Sequence, residues 1–171
     1  TELAALRRSL LQGDWKSAIG YDINPKIGYV GQSLGGIMGT LFAAAEPKIE
    51  RVVLNVPGGD LVELFRNSQV FGAHIDWFLA QREVEPGSTE HEQFMNVARW
   101  LVDRVDPQNF APYVMDRNIE TGLELQERKA LMQMARLDLI IPNENTRLLQ
   151  ELSGVPMVEY IAEHAFLVVP I

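Results

Sequence analysis

Two short apolar segments, 26–31 and 49–56, are separated by a helix-length run of small residues, and this alternation constrains the fold more than any other feature. The second segment, IERVVLNV, is continuously apolar and β-branched at its centre, which is typical of a strand covered on both faces. The intervening run, SLGGIMGTLFAAAEP, has a helical composition and ends before Pro47. Strand–helix–strand units of this kind form right-handed crossovers within parallel sheets. We therefore predict an α/β domain.

The rest of the chain extends this alternation. The opening segment TELAALRRSLLQGDW predicts an amphipathic helix, because its leucines recur at helical spacing. KALMQMA and PMVEYIA predict a third and a fourth strand, and TRLLQELSG predicts the helix between them. The expected fold is a mostly parallel sheet of about four strands with flanking helices, in a single domain over residues 1–171.

A helical insertion is predicted between the second and third strands, over residues 60–128. LVELFRNSQVF, IDWFLAQRE and TEHEQFMNVARWLVDRV all have helical patterns, and Thr89 followed by Glu92 predicts a capping box. Six aromatic residues of the insertion are candidates for lining a hydrophobic substrate site, and packing within the insertion is the alternative for most of them. They are Phe65, Phe71, Trp77, Phe78, Phe94 and Trp100.

The turn between the first strand and its helix has the pattern G-x-S-x-G, as Gly31-Gln32-Ser33-Leu34-Gly35. This pattern between a strand and a helix is typical of a nucleophile elbow, in which the serine occupies a strained conformation. We expect glycine at both outer positions because larger residues would collide across the bend. The backbone N–H of Leu34 is a candidate oxyanion donor. The alternative is a glycine-rich turn that only permits close packing; a phosphate-binding loop is disfavoured because neither of its glycine patterns is present.

A serine nucleophile requires a base, and the chain contains three histidines. His164 follows the last predicted strand, where α/β sheets place functional residues. His74 and His91 lie inside the helical insertion and are most simply surface or packing residues. His164 is therefore the candidate base for Ser33.

A carboxylate that orients the imidazole completes such a site. Asp138 follows the third predicted strand, and the order Ser33, Asp138, His164 is the chain order of α/β-hydrolases. Glu163 and Glu144 are competing acids, and Glu163 is expected to be a solvated neighbour. A turn-capping role is the alternative for Asp138.

The charge and composition of the chain limit the classes of molecule that it is expected to bind. The net charge of −8 argues against nucleic acid or an anionic membrane surface as the main partner. The chain has no cysteine, so a disulfide framework and a thiolate metal site are excluded. No apolar run reaches the length of a membrane span. We expect a small-molecule or lipid-like substrate and no cofactor or metal.

Three segments resemble the functional regions of bacterial α/β-hydrolases, most closely of lipase- and esterase-like members. IGYVGQSLGGIMGTLFAAAEPKIERVVLNVPGGDLVELFRNS is similar to their nucleophile region, ALMQMARLDLIIPNENTRLL to their acid-bearing strand and loop, and EHAFLV to their histidine loop. The resemblance implies Ser33 as nucleophile, His164 as general base and Asp138 as its orienting partner. Gln32 stands where histidine is common, and Leu137 where glycine or a polar residue is frequent.

The resemblance implies a partial α/β-hydrolase fold, a lid-like insertion and cleavage of carboxylic esters through an acyl-enzyme. A peptidase or thioesterase with the same triad is an alternative, as is a non-catalytic hydrolase-like module for binding or assembly. About eight strands are normal in that fold, and the four predicted here begin at the nucleophile strand. That strand would then be a sheet edge, which invites pairing. We expect the missing strands, and a second oxyanion donor, to come from a longer polypeptide or from another chain.

Overall fold

The sheet has four strands, all parallel and in chain order. This description comes from a computed structural model that describes residues 2–115, 119 and 128–164. The strands are β1 (Gly28–Gln32), β2 (Arg51–Asn55), β3 (Lys129–Ala135) and β4 (Met157–Tyr160). Because all four run the same way, their carboxyl ends meet along one rim of the sheet. The prediction of an α/β fold with a parallel sheet of about four strands is confirmed.

Helices connect and cover the strands. Within the described residues they are α1 (Glu2–Gln12), α2 (Trp15–Ile19), α3 (Leu34–Ala45), α4 (Leu61–Asn67), α5 (Gly72–Ala80), α6 (Thr89–Val102) and α7 (Asn143–Ser153). Three short 3-10 turns follow α6, at Asp103–Val105, Pro107–Asn109 and Ala111–Tyr113. In this part of the chain no helix is both long enough and apolar enough to cross a membrane.

The core lies between the sheet and the helices α3 and α7. Phe42 of α3, Leu54 of β2, Met132 of β3 and Leu149 of α7 belong to one buried cluster. The small residues of α3 let it pack closely, with Ala43 completely buried. The continuous apolar pattern of β2 is explained by this packing, because the strand is central in the sheet.

A buried arginine fastens the carboxyl end of α3 to the rest of the core. The Arg128 guanidinium donates to the backbone oxygens of Ile49 (2.8 Å), Ala43 (2.6 Å), Val114 (2.6 Å) and Glu46 (2.7 Å). Burial lowers the pKa of Arg128 from its ordinary value. Helix ends leave carbonyl groups without partners, and this single side chain satisfies several of them.

The region between β2 and β3 differs in detail from the expected helices. The predicted helix LVELFRNSQVF ends at Asn67, because the chain turns at Ser68, whose hydroxyl accepts from the N–H groups of Val70 and Phe71. The predicted capping box at Thr89 is wrong: Ser88 caps α6 and its hydroxyl accepts from the N–H of His91 at 3.1 Å. Residues 116–118 and 120–127 of the predicted insertion 60–128 lie outside the described residues. The lid role of the insertion stays a prediction.

β1 forms one edge of the sheet and is hydrogen-bonded to β2. Val30, in the middle of β1, is 52% exposed, which is unusual for an apolar residue of a parallel strand. The edge strand therefore exposes an apolar side chain three residues before Ser33.

Candidate active site

Ser33 is the single residue between the end of β1 and the start of α3. Its backbone has φ 54° and ψ −118°, a conformation that residues with a side chain rarely adopt. Two backbone hydrogen bonds hold it there: the Ser33 N–H donates to Asn55 O (2.9 Å), and the Ser33 carbonyl accepts from Ile37 N (3.0 Å). Strain of this kind persists only where neighbouring structure enforces it.

The two glycines of the turn have different roles. A Cβ atom on Gly31 would lie 2.2 Å from the carbonyl oxygen of Gly35, which no backbone could accommodate without moving. A Cβ atom on Gly35 would meet only the Tyr29 hydroxyl, at an ordinary 3.8 Å. A collision at Gly31 therefore begins with the first side-chain atom, whereas a methyl group fits at Gly35, and the expected collision of bulky residues at Gly35 stays a prediction. The Tyr29 hydroxyl donates to Gly35 O (2.6 Å) and closes the turn.

Ser33, His164 and Asp138 form a hydrogen-bonded chain. The Ser33 hydroxyl lies 2.9 Å from His164 Nε2, and His164 Nδ1 lies 2.7 Å from Asp138 Oδ2. An ionised carboxylate only accepts hydrogen bonds, so Nδ1–H donates to Asp138 and Nε2 accepts from the serine hydroxyl. The Asp138 side chain is 1% exposed and the His164 side chain 15%. The imidazole is thereby oriented as a proton acceptor facing Ser33.

Asp138 is held in place by hydrogen bonds from the loop in which it lies. Oδ1 of Asp138 accepts from the N–H groups of Ile140 (2.8 Å) and Ile141 (2.9 Å), which leaves Oδ2 for His164. Of the competing acids, Glu163 is exposed and Glu144 is an exposed residue in the first turn of α7. The geometry therefore favours Asp138, and its capping of two N–H groups accompanies the contact with His164.

The first turn of α3 faces the same rim. The first hydrogen bond of this helix is donated by Ile37, so the N–H groups of Leu34 and its two successors precede the helical ladder. Such N–H groups favour a developing negative charge. Gln32, the last residue of β1, is half-buried and pairs in register with Asn55. The oxyanion role of the Leu34 N–H stays a prediction.

Sequence reasoning missed the residues that brace the loop between β2 and α4. This loop contains two further non-glycine residues with positive φ, Val56 (43°) and Asp60 (50°). The Thr146 hydroxyl and the Asn145 amide each donate to a carbonyl of the loop at 2.7 Å. The buried Asp106 carboxylate accepts two N–H groups at its end, at 3.0 and 2.7 Å. Polar residues at the buried positions of α7 are the one sequence signal that could have indicated this brace.

The helices α4, α5 and α6 line an open apolar cavity of about 380 Å³. Four of the six candidate aromatics line it: Phe65, Phe71, Phe78 and Phe94. Trp77 and Trp100 are instead 65% and 76% exposed. The lining also includes His74, whose Nδ1–H donates to the Val70 carbonyl at 2.8 Å, whereas His91 is buried in α6.

Among residues 2–115, 119 and 128–164, no group of three or more histidine or carboxylate side chains is arranged to hold a metal ion. The chemistry that Ser33, His164 and Asp138 can support is proton transfer and nucleophilic attack by the serine hydroxyl.

Comparison with known proteins gives matches in structure. No protein-family profile and no curated protein sequence matches the chain. Acetyl xylan esterase 1 from Thermoanaerobacterium sp. is 17% identical over 97% of this chain and 47% of its own, with a TM-score of 0.62. An esterase from Pyrococcus furiosus is 13% identical over 96% of this chain and 52% of its own, with a TM-score of 0.56.

A third solved structure of the same architecture is an acylaminoacyl peptidase from Pyrococcus horikoshii. It is 12% identical, with a TM-score of 0.57 over 93% of this chain and 23% of its own. The chain spans about half the length of the two esterases that it resembles. At these identities the similarity establishes a shared architecture.

Proposed function

Because the chain has part of the α/β-hydrolase fold, we propose that it is the catalytic half of a serine hydrolase that cleaves carboxylic esters. The observation that carries this proposal is the hydrogen-bonded chain from Ser33 through His164 to Asp138. The three residues come from three different loops at one rim of the sheet. Convergence of this kind, with the serine on a strained turn, is what nucleophilic catalysis requires.

In the proposed mechanism, Ser33 Oγ attacks the ester carbonyl while His164 Nε2 takes its proton. The Leu34 N–H, at the start of α3, donates to the oxyanion that forms. Asp138 keeps the imidazole in the required tautomer and stabilises it when it is protonated. The histidine then returns the proton to the leaving alcohol, and water releases the acid by the same route. These steps use only side chains and backbone groups of the chain and need no cofactor.

An apolar, lipid-like ester is the substrate class that we favour. The apolar cavity between α4 and α6 supports this choice, because its lining offers aromatic and aliphatic side chains to a hydrocarbon group. We propose that this helical region acts as a lid or acyl-binding insertion. Two of the proteins with a similar fold are described as esterases, which is consistent with an ester substrate.

A peptidase with the same triad is the second candidate. One protein of similar fold is an acylaminoacyl peptidase, and the elbow does not distinguish an ester from an amide. A panel of p-nitrophenyl esters of increasing acyl length, tested beside peptide and thioester substrates, separates these activities. The proposal predicts that esters give the highest kcat/KM.

The intact gene product, treated with a fluorophosphonate probe, tests the proposal directly. We expect stoichiometric labelling that Ser33→Ala abolishes and that Ser9→Ala, a substitution at an exposed serine of α1, leaves unchanged. Asp138→Asn keeps the size of the side chain but favours the wrong tautomer, so we expect kcat to fall by about 10⁴. An unlabelled, folded gene product would contradict the proposal and favour a non-catalytic module.

We also propose that strands from elsewhere in the polypeptide, or from another chain, pair with β1. The edge position of β1, its exposed Val30 and the length of the similar structures support this. Hydrogen exchange of the intact gene product is the test. Slow exchange throughout residues 28–32 is expected, and rapid exchange of the N–H groups that do not bond to β2 would contradict the pairing.

A further inference from the structure

A second cavity, of about 410 Å³, lies directly beside the proposed base. Its lining residues are Val70, Leu137, Leu139, Ile140, Glu163 and His164. Leu137 and Leu139 are each 54% exposed and Val70 is 42% exposed. Large apolar side chains are thus left open to water at the imidazole that faces Ser33. An open apolar surface next to reactive groups is typical of a ligand site.

The proposed ester hydrolysis requires a proton transfer from His164 to the leaving group, and this transfer identifies the ligand. When the tetrahedral intermediate collapses, the bond between the acyl carbon and the alcohol oxygen breaks, and its electron pair leaves with that oxygen. The proton that His164 Nε2 took from Ser33 passes to the same oxygen, and the acyl group stays on Ser33 Oγ. The alcohol oxygen must therefore lie within hydrogen-bonding distance of Nε2, on the histidine side of the serine.

We propose that the cavity beside His164 binds the alcohol part of the ester and selects uncharged alkyl or aromatic alcohols over short or anionic ones. This assignment rests on the proposed function and adds its leaving-group specificity. Leu137 and Leu139 are the specificity-determining residues. They flank Asp138 in the chain, so the loop that orients the base also forms the wall of the alcohol site.

Backbone hydrogen bonds on both sides fix this wall. The Leu137 N–H donates to Ala162 O at 3.0 Å, and the Leu139 carbonyl accepts from Gln69 N at 3.1 Å. Asp138 Oδ1 accepts from the N–H groups of Ile140 and Ile141. A preformed apolar wall binds a hydrocarbon group without ordering a mobile loop first, which preserves affinity.

The carboxylate of Glu163 accounts for the proposed selection against anionic alcohols. Glu163 is exposed, it precedes His164 in the chain, and it is the acidic residue among the described residues that line the cavity. An anionic alcohol would bring a second negative charge to this carboxylate, whereas an uncharged alcohol would not. The repulsion is partly screened by water, so a moderate effect is expected.

Two matched ester series test the proposal with the intact gene product. In acetate esters of ethanol, butanol and hexanol, we expect kcat/KM to rise by up to about fourfold per methylene group. Leu139→Ser should reduce the dependence of kcat/KM on alcohol length more than it reduces the dependence on acyl length in a series of ethyl esters. Leu101→Ser, at a 65% exposed leucine of α6 outside the cavity, is the control and should alter neither. An alcohol series that Leu139→Ser does not flatten would overturn the proposal.

Charge selection and binding give two independent measurements. Glu163→Gln should raise the ratio of kcat/KM for acetylglycolate to kcat/KM for its methyl ester about two- to fivefold. In the Ser33→Ala background, titration with 1-hexanol measures occupancy of the cavity without turnover, and Leu139→Ser should weaken that binding. Equal hexanol binding with and without Leu139→Ser would overturn the alcohol site, even where fluorophosphonate labelling supports the hydrolase. Loss of labelling with hexanol binding intact would instead contradict the proposed function alone.

Discussion

Gly31→Ala is the substitution that most directly probes the strained turn. The added methyl carbon would lie 2.2 Å from the Gly35 oxygen, 2.5 Å from the Gly35 carbonyl carbon and 2.7 Å from Cε1 of Tyr29. Ordinary contacts begin near 3.4 Å, so the start of α3 must move away from β1 by roughly 1 Å. Two of these three clashing atoms belong to the backbone of Gly35, and a backbone atom cannot rotate away as a side chain can.

The expected loss of stability has two parts. Overpacking of this kind costs about 1–3 kcal/mol. Displacement of the Gly35 carbonyl also breaks its hydrogen bond from the Tyr29 hydroxyl, 2.6 Å long, which contributes about 1 kcal/mol. Together they lower the free energy of unfolding by about 2–4 kcal/mol. For a domain of this size that corresponds to a fall in Tm of roughly 4–16 °C.

Gly35→Ala is the matched control, because it adds the same methyl group four residues away. Its nearest contact is the Tyr29 hydroxyl at 3.8 Å, and alanine is favoured over glycine in a helix by up to about 1 kcal/mol. We expect its Tm to equal or slightly exceed that of the wild type. Thermal unfolding followed by far-ultraviolet circular dichroism measures both variants. A Gly31→Ala protein that melts within about 1 °C of the wild type would refute the steric account of the turn.

Two further predictions concern the supports of the site. Arg128→Met removes four hydrogen bonds from a charged donor to buried carbonyls, so the free energy of unfolding in urea should fall by at least about 4 kcal/mol, while Arg51→Met on the exposed start of β2 should change it little. Equal urea midpoints for both variants would contradict this. Burial raises the pKa of Tyr29 above its ordinary value of 10.0, so the folded state holds this proton more tightly and stability is lost as pH rises beyond that value. The difference in Tm between the wild type and Tyr29→Phe should therefore shrink above about pH 10. A constant difference up to about pH 11 would contradict a raised pKa for Tyr29.

The positions of the strands and their parallel direction could be predicted, because buried strands have apolar centres and strands that alternate with helices form parallel sheets. The apolar centre of segment 49–56 indicated β2, which spans Arg51–Asn55, and the predicted third strand KALMQMA coincides with β3. Element ends were less well determined. Ser88 and Thr89 can both cap a helix, and only the extended backbone at Ser88 decides which one does.

The proposed reactive residues were predicted, and the residues that hold them in place were not. Ser33 lies in a local sequence pattern, and Asp138 and His164 have the residue types, the positions after strands and the chain order that the same reaction class requires. The supports are set by contacts between distant parts of the chain. Asp106 binds N–H groups some 45 residues away, and Arg128 reaches Ala43 over a separation of 85. No local pattern encodes such distances.

Strained backbone is concentrated at the rim where the proposed site lies. Ser33, Val56 and Asp60 all have positive φ, and all follow the carboxyl ends of β1 or β2. Each such conformation costs about 1–3 kcal/mol, which the isolated turn could not sustain. The compensating hydrogen bonds come from β2 through Asn55 and from α7 through Thr146. The pentapeptide thus identifies the candidate serine, whereas the strained conformation of Ser33 depends on hydrogen bonds that form only in the assembled sheet.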